Sequence, residues 1–370
     1  MTRNDSKVNG LVETKQTGIR AHRLESRKKP TLKTIATALG LGVTTVSRAI
    51  RDDVKIAAAT RKAVQDMARE LCYHPSRAGL RLRTGKTNVL SLVLDTEEQI
   101  GSFLSQIIFG ITEGLEGTPY NLIVMPYPKH SDPVAPIRHL VESEAVDGII
   151  ISRIQPADPR VRYMIEQGMH FVTHGRTQMG VEHPYVDFDN EAFARISVEC
   201  LANLGRKRLS LLAPPAGLSF HDHTRHGFEA AMVEHGLEEV PIQGISNDSS
   251  IQQIRLAVRK LMQQSPAPDG LISSSGGVSG TGGAILAIQA GLKDVGAIIG
   301  RDVDIVTKQL FANLPIFGDE FYVVHEDVRK TGRDLATALV GSIEGKPISE
   351  LQTLVVPTKV SLQSTTDRDE

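Results

Sequence analysis

The chain has 370 residues, more than one small hydrophobic core needs, so two or three folded units are expected. Hydrophobic residues make up 40% and charged residues 23%, the balance of an ordinary globular protein and not that of a disordered polyelectrolyte. The net charge of −1 conceals an asymmetry: residues 1–86 carry 19 Lys and Arg against 7 Asp and Glu, a net of +12, and the remainder carries 23 against 36, a net of −13. A basic head on an acidic body is a footprint for nucleic acid at one end only.

No apolar run reaches the length of a membrane span, and the opening MTRNDSKVNG has no apolar stretch of the kind that marks a secretion signal, so a cytoplasmic location is expected. Cys72 and Cys200 lie too far apart in sequence to suggest a disulfide framework or a paired metal motif; both are expected to be small buried hydrophobes.

In chain order, residues 1–29 are polar, lack periodicity and end in Arg27-Lys28-Lys29, which predicts a disordered basic extension. Residues 30–75 carry three short helical patterns. Ile35, Ala36 and Leu39 share the first face, and Gly40-Leu41-Gly42 breaks it. Val43, Val46 and Ile50 mark a second helix. Val64, Met67, Ala68 and Leu71 mark a third from about Ala58 to Leu71, stopped by His74-Pro75. Residues 76–87 form a basic linker, 88–362 a large core, and 363–370 a polar tail.

Within the core, short runs of β-formers recur at Val89–Leu94, Leu122–Met125, Gly148–Ile151, His170–Thr173, Arg208–Leu212, Gly270–Ile272 and Val303–Val306. Amphipathic stretches separate them: Ser102–Leu115, Pro159–Gln167, Glu191–Leu204, His226–Glu234 and Ile251–Gln263. Alternation of buried strands with helices predicts an α/β core of parallel sheets flanked by helices. The strands are too many for one sheet of usual size, so two stacked α/β subdomains are expected, with ligands bound beyond the strand carboxyl ends.

Thr31 to Ile50 has the logic of a helix-turn-helix. Ala36 is small where two helices cross, Gly40 sits where a tight turn wants an unhindered backbone, and Val46 plugs the space between helices. The second helix would then expose Val43, Thr44, Ser47 and Arg48. An Ala and a Gly at this spacing also occur in plain helical hairpins, so the longer string matters more. Thr31-Leu32, Ile35-Ala36, Thr45-Val46-Ser47-Arg48, Thr60-Arg61, Leu71-Cys72-Tyr73-His74-Pro75 and Ser76-Arg77-Ala78 closely resemble the headpiece of the lac repressor/galactose repressor (LacI) family. The likeness continues through the linker and the core to about residue 362.

The resemblance implies a helix-turn-helix headpiece joined to a two-lobed core like that of periplasmic binding proteins. It also implies a transcriptional repressor: a dimer, or sometimes a tetramer, on a pseudopalindromic operator that responds to a small effector. The polar stretch after Leu362 has no leucine heptad, so a homodimer is expected, with no enzymatic activity, metal or cofactor. It places base contacts on Val43, Thr44, Ser47 and Arg48, with Arg48 suited to guanine and Val43 or Thr44 to a thymine methyl. It places phosphate contacts on Thr31, Lys33, Lys55, Thr60 and Arg61, which set register and not sequence. In the linker it implies a hinge helix formed on DNA, with Arg77, Ala78, Arg81 and Leu82 in the minor groove and Leu82 as the wedge that opens a base step. Gly79 disfavours that helix by roughly 1 kcal/mol, so folding of the hinge is expected to be coupled to binding. Ala57 stands where relatives cap the third helix with serine; the loss is on the order of 1 kcal/mol, and compensation is expected nearby.

For the effector, the resemblance points to Thr96, Arg153, His174, Arg176, Phe220, Thr224, Arg225, Ser274, Gln309 and Val328. Several of these depart from the family pattern. Ser274-Ser275 replaces an Asn-Asp pair, Gln309 and Gly175 replace aspartates, and Thr224-Arg225 shifts an arginine by one place. Carboxylates are lost while Arg153, Arg176 and Arg225 are present, and arginine forks suit carboxylates and phosphates. The expected effector is therefore a sugar or an anionic sugar derivative. His221, His223 and His226 invite a metal reading, but without a fourth ligand at fixed spacing they read as ordinary loop histidines ahead of a helix. A solute-binding protein would share the core but has no use for the basic head. A nucleotide-dependent enzyme is disfavoured because no phosphate-binding loop is present and the glycines from Gly276 to Gly283 lack an acidic partner.

Overall fold

The computed structural model describes residues 30–73, 85–95, 102–128, 131–274, 283–309 and 321–363. The chain divides into two compact units, residues 1–84 and 85–370, a boundary that falls inside the expected linker.

Among the described residues the first unit holds three helices, α1 (Leu32–Leu39), α2 (Val43–Ile50) and α3 (Ala58–Glu70). Ile35 and Ala36 of α1, Val46 and Ala49 of α2 and Val64 of α3 make a fully enclosed core, with Leu39, Ile50, Met67, Ala68 and Leu71 packed around it. Val43 turns outward instead of sharing the inner face of Val46, because the core side of α2 is set by Val46 and Ala49. Gly40 caps α1 in the left-handed conformation at φ 64°, and its neighbour Leu41 donates back to the Ala36 carbonyl at 2.9 Å. A side chain at that φ is strained, which is why the turn wants glycine.

No side chain caps α3 at Ala57. Ala57, Ala58 and Ala59 are exposed, so water reaches the free N–H groups. Arg61 holds the preceding loop instead, donating to the Ile56 carbonyl at 2.6 Å and to Asp52 at 2.9 Å. Cys72 is exposed, contrary to the buried role expected: it follows the last turn of α3 at φ 50° with its amide bonded to the Arg69 carbonyl, a position that faces water. Cys200 is half buried.

Among the described residues the second unit holds two six-stranded sheets. The first has order β11-β5-β4-β3-β1-β2 and the second β12-β10-β9-β8-β6-β7. The strands are β1 (Val89–Asp95), β2 (Asn121–Tyr127), β3 (Gly148–Ile151), β4 (Phe171–His174), β5 (Tyr185–Phe188), β6 (Arg208–Leu212), β7 (Glu238–Glu239), β8 (Gly270–Ser273), β9 (Asp304–Gln309), β10 (Phe321–His325), β11 (Gln352–Val355) and β12 (Ser361–Gln363). Among the described residues all pairings are parallel except β10 with β12. The helices that cover them are α4 (Ser102–Gly114), α5 (Ala135–Glu142), α6 (Pro159–Glu166), α7 (Asn190–Asn203), α8 (Ser219–Glu234), α9 (Ile251–Met262), α10 (Gly283–Lys293) and α11 (Val328–Ile343).

The chain passes between the sheets three times, after β5, after β10 and after β11, so each lobe is completed by strands from a distant part of the sequence. Helix α11 returns to the first lobe, where Leu335, Ala336 and Leu339 join Ile107 and Ile111 of α4. The two helices touch through glycines: a Cβ on Gly110 would lie 2.0 Å from the Arg329 carbonyl oxygen, and one on Gly332 would lie 2.5 Å from that of Ile107. Helix α8 begins at Ser219, ahead of the expected start at His226. Its inward face is built from Ser219, Thr224 and Gly227 before Phe228 and Ala231, and such small residues do not register as an apolar stripe.

Candidate DNA-reading face and effector cleft

On the first unit, Val43 and Thr44 are exposed in the first turn of α2, and Ser47 and Arg48 are half exposed one turn on. Arg48 Nε donates to Asp53 Oδ2 at 2.8 Å. Lys33 and Lys55 are exposed and Thr60 is half buried. Thr31 caps α1: its hydroxyl accepts the Thr34 amide at 3.2 Å, and its own amide donates to the Thr34 hydroxyl at 3.1 Å. Arg61 is largely committed to the loop, as described above. The hinge residues Arg77, Ala78, Arg81 and Leu82 lie outside the described residues, as does Thr96.

In the second unit Arg153, His174, Arg176, Ser274 and Gln309 lie at or just beyond strand carboxyl ends, while Phe220, Thr224 and Arg225 lie on α8 and Val328 on α11. Arg153 follows β3 and bridges the lobes, 3.1 Å from Asp95 at the end of β1 and 2.8 Å from Asp248 in the loop after β7. Its backbone is left-handed at φ 54°, unfavourable for a residue with a Cβ. Arg160 holds it there. The guanidinium is bonded at both ends to buried Asp158, at 3.0 and 2.7 Å, and also donates to the carbonyls of Ser152 and Arg153 at 3.1 and 3.0 Å. A second inter-lobe bond runs from the Ser219 amide to the Ile154 carbonyl at 2.8 Å.

Arg176 lies 3.0 Å from Asp187 on β5. Burial pushes the Asp187 carboxyl up to about 7, even though the Arg176 and Lys308 cations pull the other way. Lys308 of β9 is buried between Asn190, 2.6 Å away, and Glu326, 3.0 Å away, with its ammonium 4.4 Å from the Phe188 ring centroid. His174 ends β4 and stacks on Phe103 with centroids 5.7 Å apart; burial holds its pKa below the usual range, so the ring is neutral near pH 7. The same cause lowers His223, which enters from the first turns of α8 and whose Nδ1 has no hydrogen-bond partner among the described residues.

The other candidates divide. Ser274 is buried at the end of β8, accepting from Asn247 at 3.2 Å and donating to the Leu212 carbonyl at 3.0 Å. Phe220 is half buried on the first turn of α8, and Thr224 is fully buried with its hydroxyl on the Phe220 carbonyl at 2.6 Å. The backbone of Gln309 ends β9, and its side chain is not among those described. Val328 belongs to the core beneath α11. Arg225 does not stand free as an anion fork: it ties α8 to β7 through Glu239 at 2.7 Å and to Glu229 at 2.5 Å. The three histidines also diverge, with His221 on Asp222 and His226 on Glu191, and no group that could hold a metal ion forms among the described residues.

The expectation of arginines waiting for an anion therefore meets a different chemistry. Arg153, Arg176 and Arg225 each already face a carboxylate of this chain, as does Lys308. None of Asp95, Asp248, Asp187, Glu326 and Lys308 is among the effector residues expected from the sequence. Two signals were available: an aspartate closing the apolar run Val89–Leu94, and a lysine inside a buried strand.

Two family descriptions match the chain. That for the periplasmic binding proteins and sugar-binding domain of the LacI family matches residues 87–354, and that for bacterial regulatory proteins of the lacI family matches residues 31–76. The HTH-type transcriptional regulator RafR of Escherichia coli is 32% identical over 333 residues, 88% of this chain and 96% of its own. The regulator AglR of Rhizobium meliloti is 29% identical, over 84% of this chain and 87% of its own. The lac repressor dimer bound to operator and an anti-inducer superimposes with a TM-score of 0.76 at 18% identity, covering 90% of this chain and 98% of that one. A CelR–cellobiose complex gives 0.61 at 22%, covering 90% and 98%. At these identities the two structures speak for the fold alone.

Proposed function

The chain belongs to the LacI family of bacterial transcriptional regulators, which are not enzymes, and from that premise we propose that it is a repressor whose homodimer binds a pseudopalindromic operator and responds to a neutral sugar in the cleft. Val43, Thr44, Ser47 and Arg48 read bases, Thr31, Lys33, Lys55, Thr60 and Arg61 meet phosphates, and the hinge from Arg77 to Leu82 enters the minor groove. The exposure of the leading residues of α2 supports this, as does the net charge of +12 on residues 1–86.

The single observation that carries the choice of effector is that the cleft cations are already paired. A carboxylate ligand would have to displace Asp95 or Asp248 from Arg153, and the displaced anion would stay in a poorly solvated site. A neutral polyol needs no such exchange: its hydroxyls donate to the carboxylates and accept from Arg153, Arg176 and the uncharged His174 and His223. The name of one relative points the same way, the maltose regulon regulatory protein MalI of Escherichia coli.

Titration calorimetry of the full chain against matched neutral and acidic sugars tests this. Heat from neutral disaccharides alone is the expected result; saturable binding confined to uronic acids or sugar phosphates overturns it. For the DNA half, affinity for a selected operator should fall steeply and linearly in a log–log plot against salt. Leu82→Ala should weaken operator binding while leaving sugar binding unchanged.

A further inference from the structure

We propose that Asp53 is a positioning residue for the DNA-reading face: its carboxylate fixes how Arg48 is presented to a base and so sets how sharply that base is discriminated. This rests on the reading of α2 as the base-contacting helix.

The two residues are joined twice. Asp53 donates its amide to the Arg48 carbonyl at 3.2 Å, and Arg48 Nε donates to Asp53 Oδ2 at 2.8 Å. The other oxygen, Oδ1, accepts the Lys55 amide at 3.0 Å, so the carboxylate is pinned to the backbone on one side and grips the guanidinium on the other. The hydrogen bond from Arg48 is the largest cause holding the Asp53 carboxyl below its usual range, so it remains an anion across the physiological pH range. Engagement is through Nε, and the two terminal nitrogens of Arg48 make no hydrogen bond among the described residues; both belong to one rigid plane. A free arginine on a surface has many rotamers and reaches phosphates as readily as guanine. A guanidinium held at Nε has lost most of that choice before DNA arrives, and less order remains to be imposed at the base.

The charge makes the residue informative. An anion beside a DNA-facing arginine opposes attraction to every phosphate nearby. It weakens binding to all sequences alike, so its useful effect must lie in the difference between sequences. Asp52, next in the chain, is different: it engages Arg61 and Gln65 on α3 and so closes the loop.

The variant Asp53→Asn keeps an oxygen for the Lys55 amide and removes the charge. The experiment selects duplexes with a randomised site on wild type, Asp53→Asn, Arg48→Ala and the double variant, and measures affinity for a fixed random-sequence duplex at one salt concentration. Asp53→Asn should bind the random duplex a few-fold more tightly. Its preference at the base position that Arg48→Ala erases should fall by about five- to tenfold, and the double variant should be no less selective than Arg48→Ala alone. The opposite signs separate positioning from simple damage to the fold, which lowers both affinities. An unchanged preference in Asp53→Asn overturns the proposal. If Arg48→Ala itself leaves the selected sites unchanged, the base-reading role of Arg48 is what fails.

Discussion

Arg153 and Asp248 meet across the cleft at 2.8 Å, one projecting from the lobe of β1 to β5 and the other from the lobe of β6 to β10. The same guanidinium holds Asp95 on its own side at 3.1 Å, so one cation separates two carboxylates from opposite lobes. Both ends are mostly shielded from solvent, with side-chain exposures of 16% for Arg153, 22% for Asp95 and 15% for Asp248, which keeps screening weak.

Replacing Arg153 should open the cleft. In Arg153→Gln the guanidinium that lies between the two aspartates is lost, and the cost to the closed form is on the order of 2 kcal/mol. Spin labels at Glu142 on α5 and Lys260 on α9, with Cys72 and Cys200 changed to serine, would report it as a longer and broader distance distribution. A distribution identical to that of the parent would show that the Ser219–Ile154 bond and the crossovers hold the lobes without Arg153.

Arg160 should matter more for stability than for ligand binding. It is 3% exposed and is the partner of Asp158, which is wholly buried. Arg160→Leu strands a buried carboxylate and releases the left-handed backbone at Arg153, a loss of about 3–5 kcal/mol. Urea denaturation of the full chain checks this. The double variant Arg160→Leu/Asp158→Leu, which leaves no lone charge, should recover a substantial part.

These relationships explain what the sequence could and could not reveal. The apolar runs Gly148–Ile151 and Arg208–Leu212 are strands residue for residue, because a strand buried on both faces is a continuous stretch of β-formers. Tyr185–Phe188 escaped because Asp187 interrupts a run of four, and Val328–Ile343 because Gly332 and Gly341 occupy places where an apolar stripe would normally show. The cleft cations stood out in the chain as residues, but their partners did not. Arg153 with Asp248 and Lys308 with Asn190 are pairings between distant segments, created by crossovers that no local pattern announces. The headpiece read better, since its core and turn are made by neighbours within forty residues.

Asp187 should make stability depend on pH. Its folded pKa of about 7 lies above the ordinary carboxylate value of 3.8, so the folded state holds this proton more tightly than the unfolded state does. Its contribution is therefore most favourable below about pH 4 and declines as pH rises toward 7, by a few kcal/mol in all. Asp187→Asn lacks that titration. The stability of the variant minus that of the parent should rise between pH 4 and 7 and level off above. A difference that stays flat with pH would mean that Arg176 keeps Asp187 ionised throughout.

The contact of α4 with α11 should not tolerate a single added methyl. At Gly110 a Cβ would meet the Arg329 carbonyl at 2.0 Å, and the obstacle is backbone that no rotamer change can move. Gly110→Ala must push the helices apart, and Ile107, Ile111, Leu335, Ala336 and Leu339 then lose their close packing together. Overpacking of this kind costs about 1–3 kcal/mol. Gly117, by contrast, has open space around its Cβ position but a φ of 76°, so Gly117→Ala tests backbone strain without a clash. Thermal unfolding of the two variants should rank Gly110→Ala as the more damaging. Hydrogen exchange should localise the loss to α4 and α11 in Gly110→Ala alone, because only there is a helix–helix contact forced open.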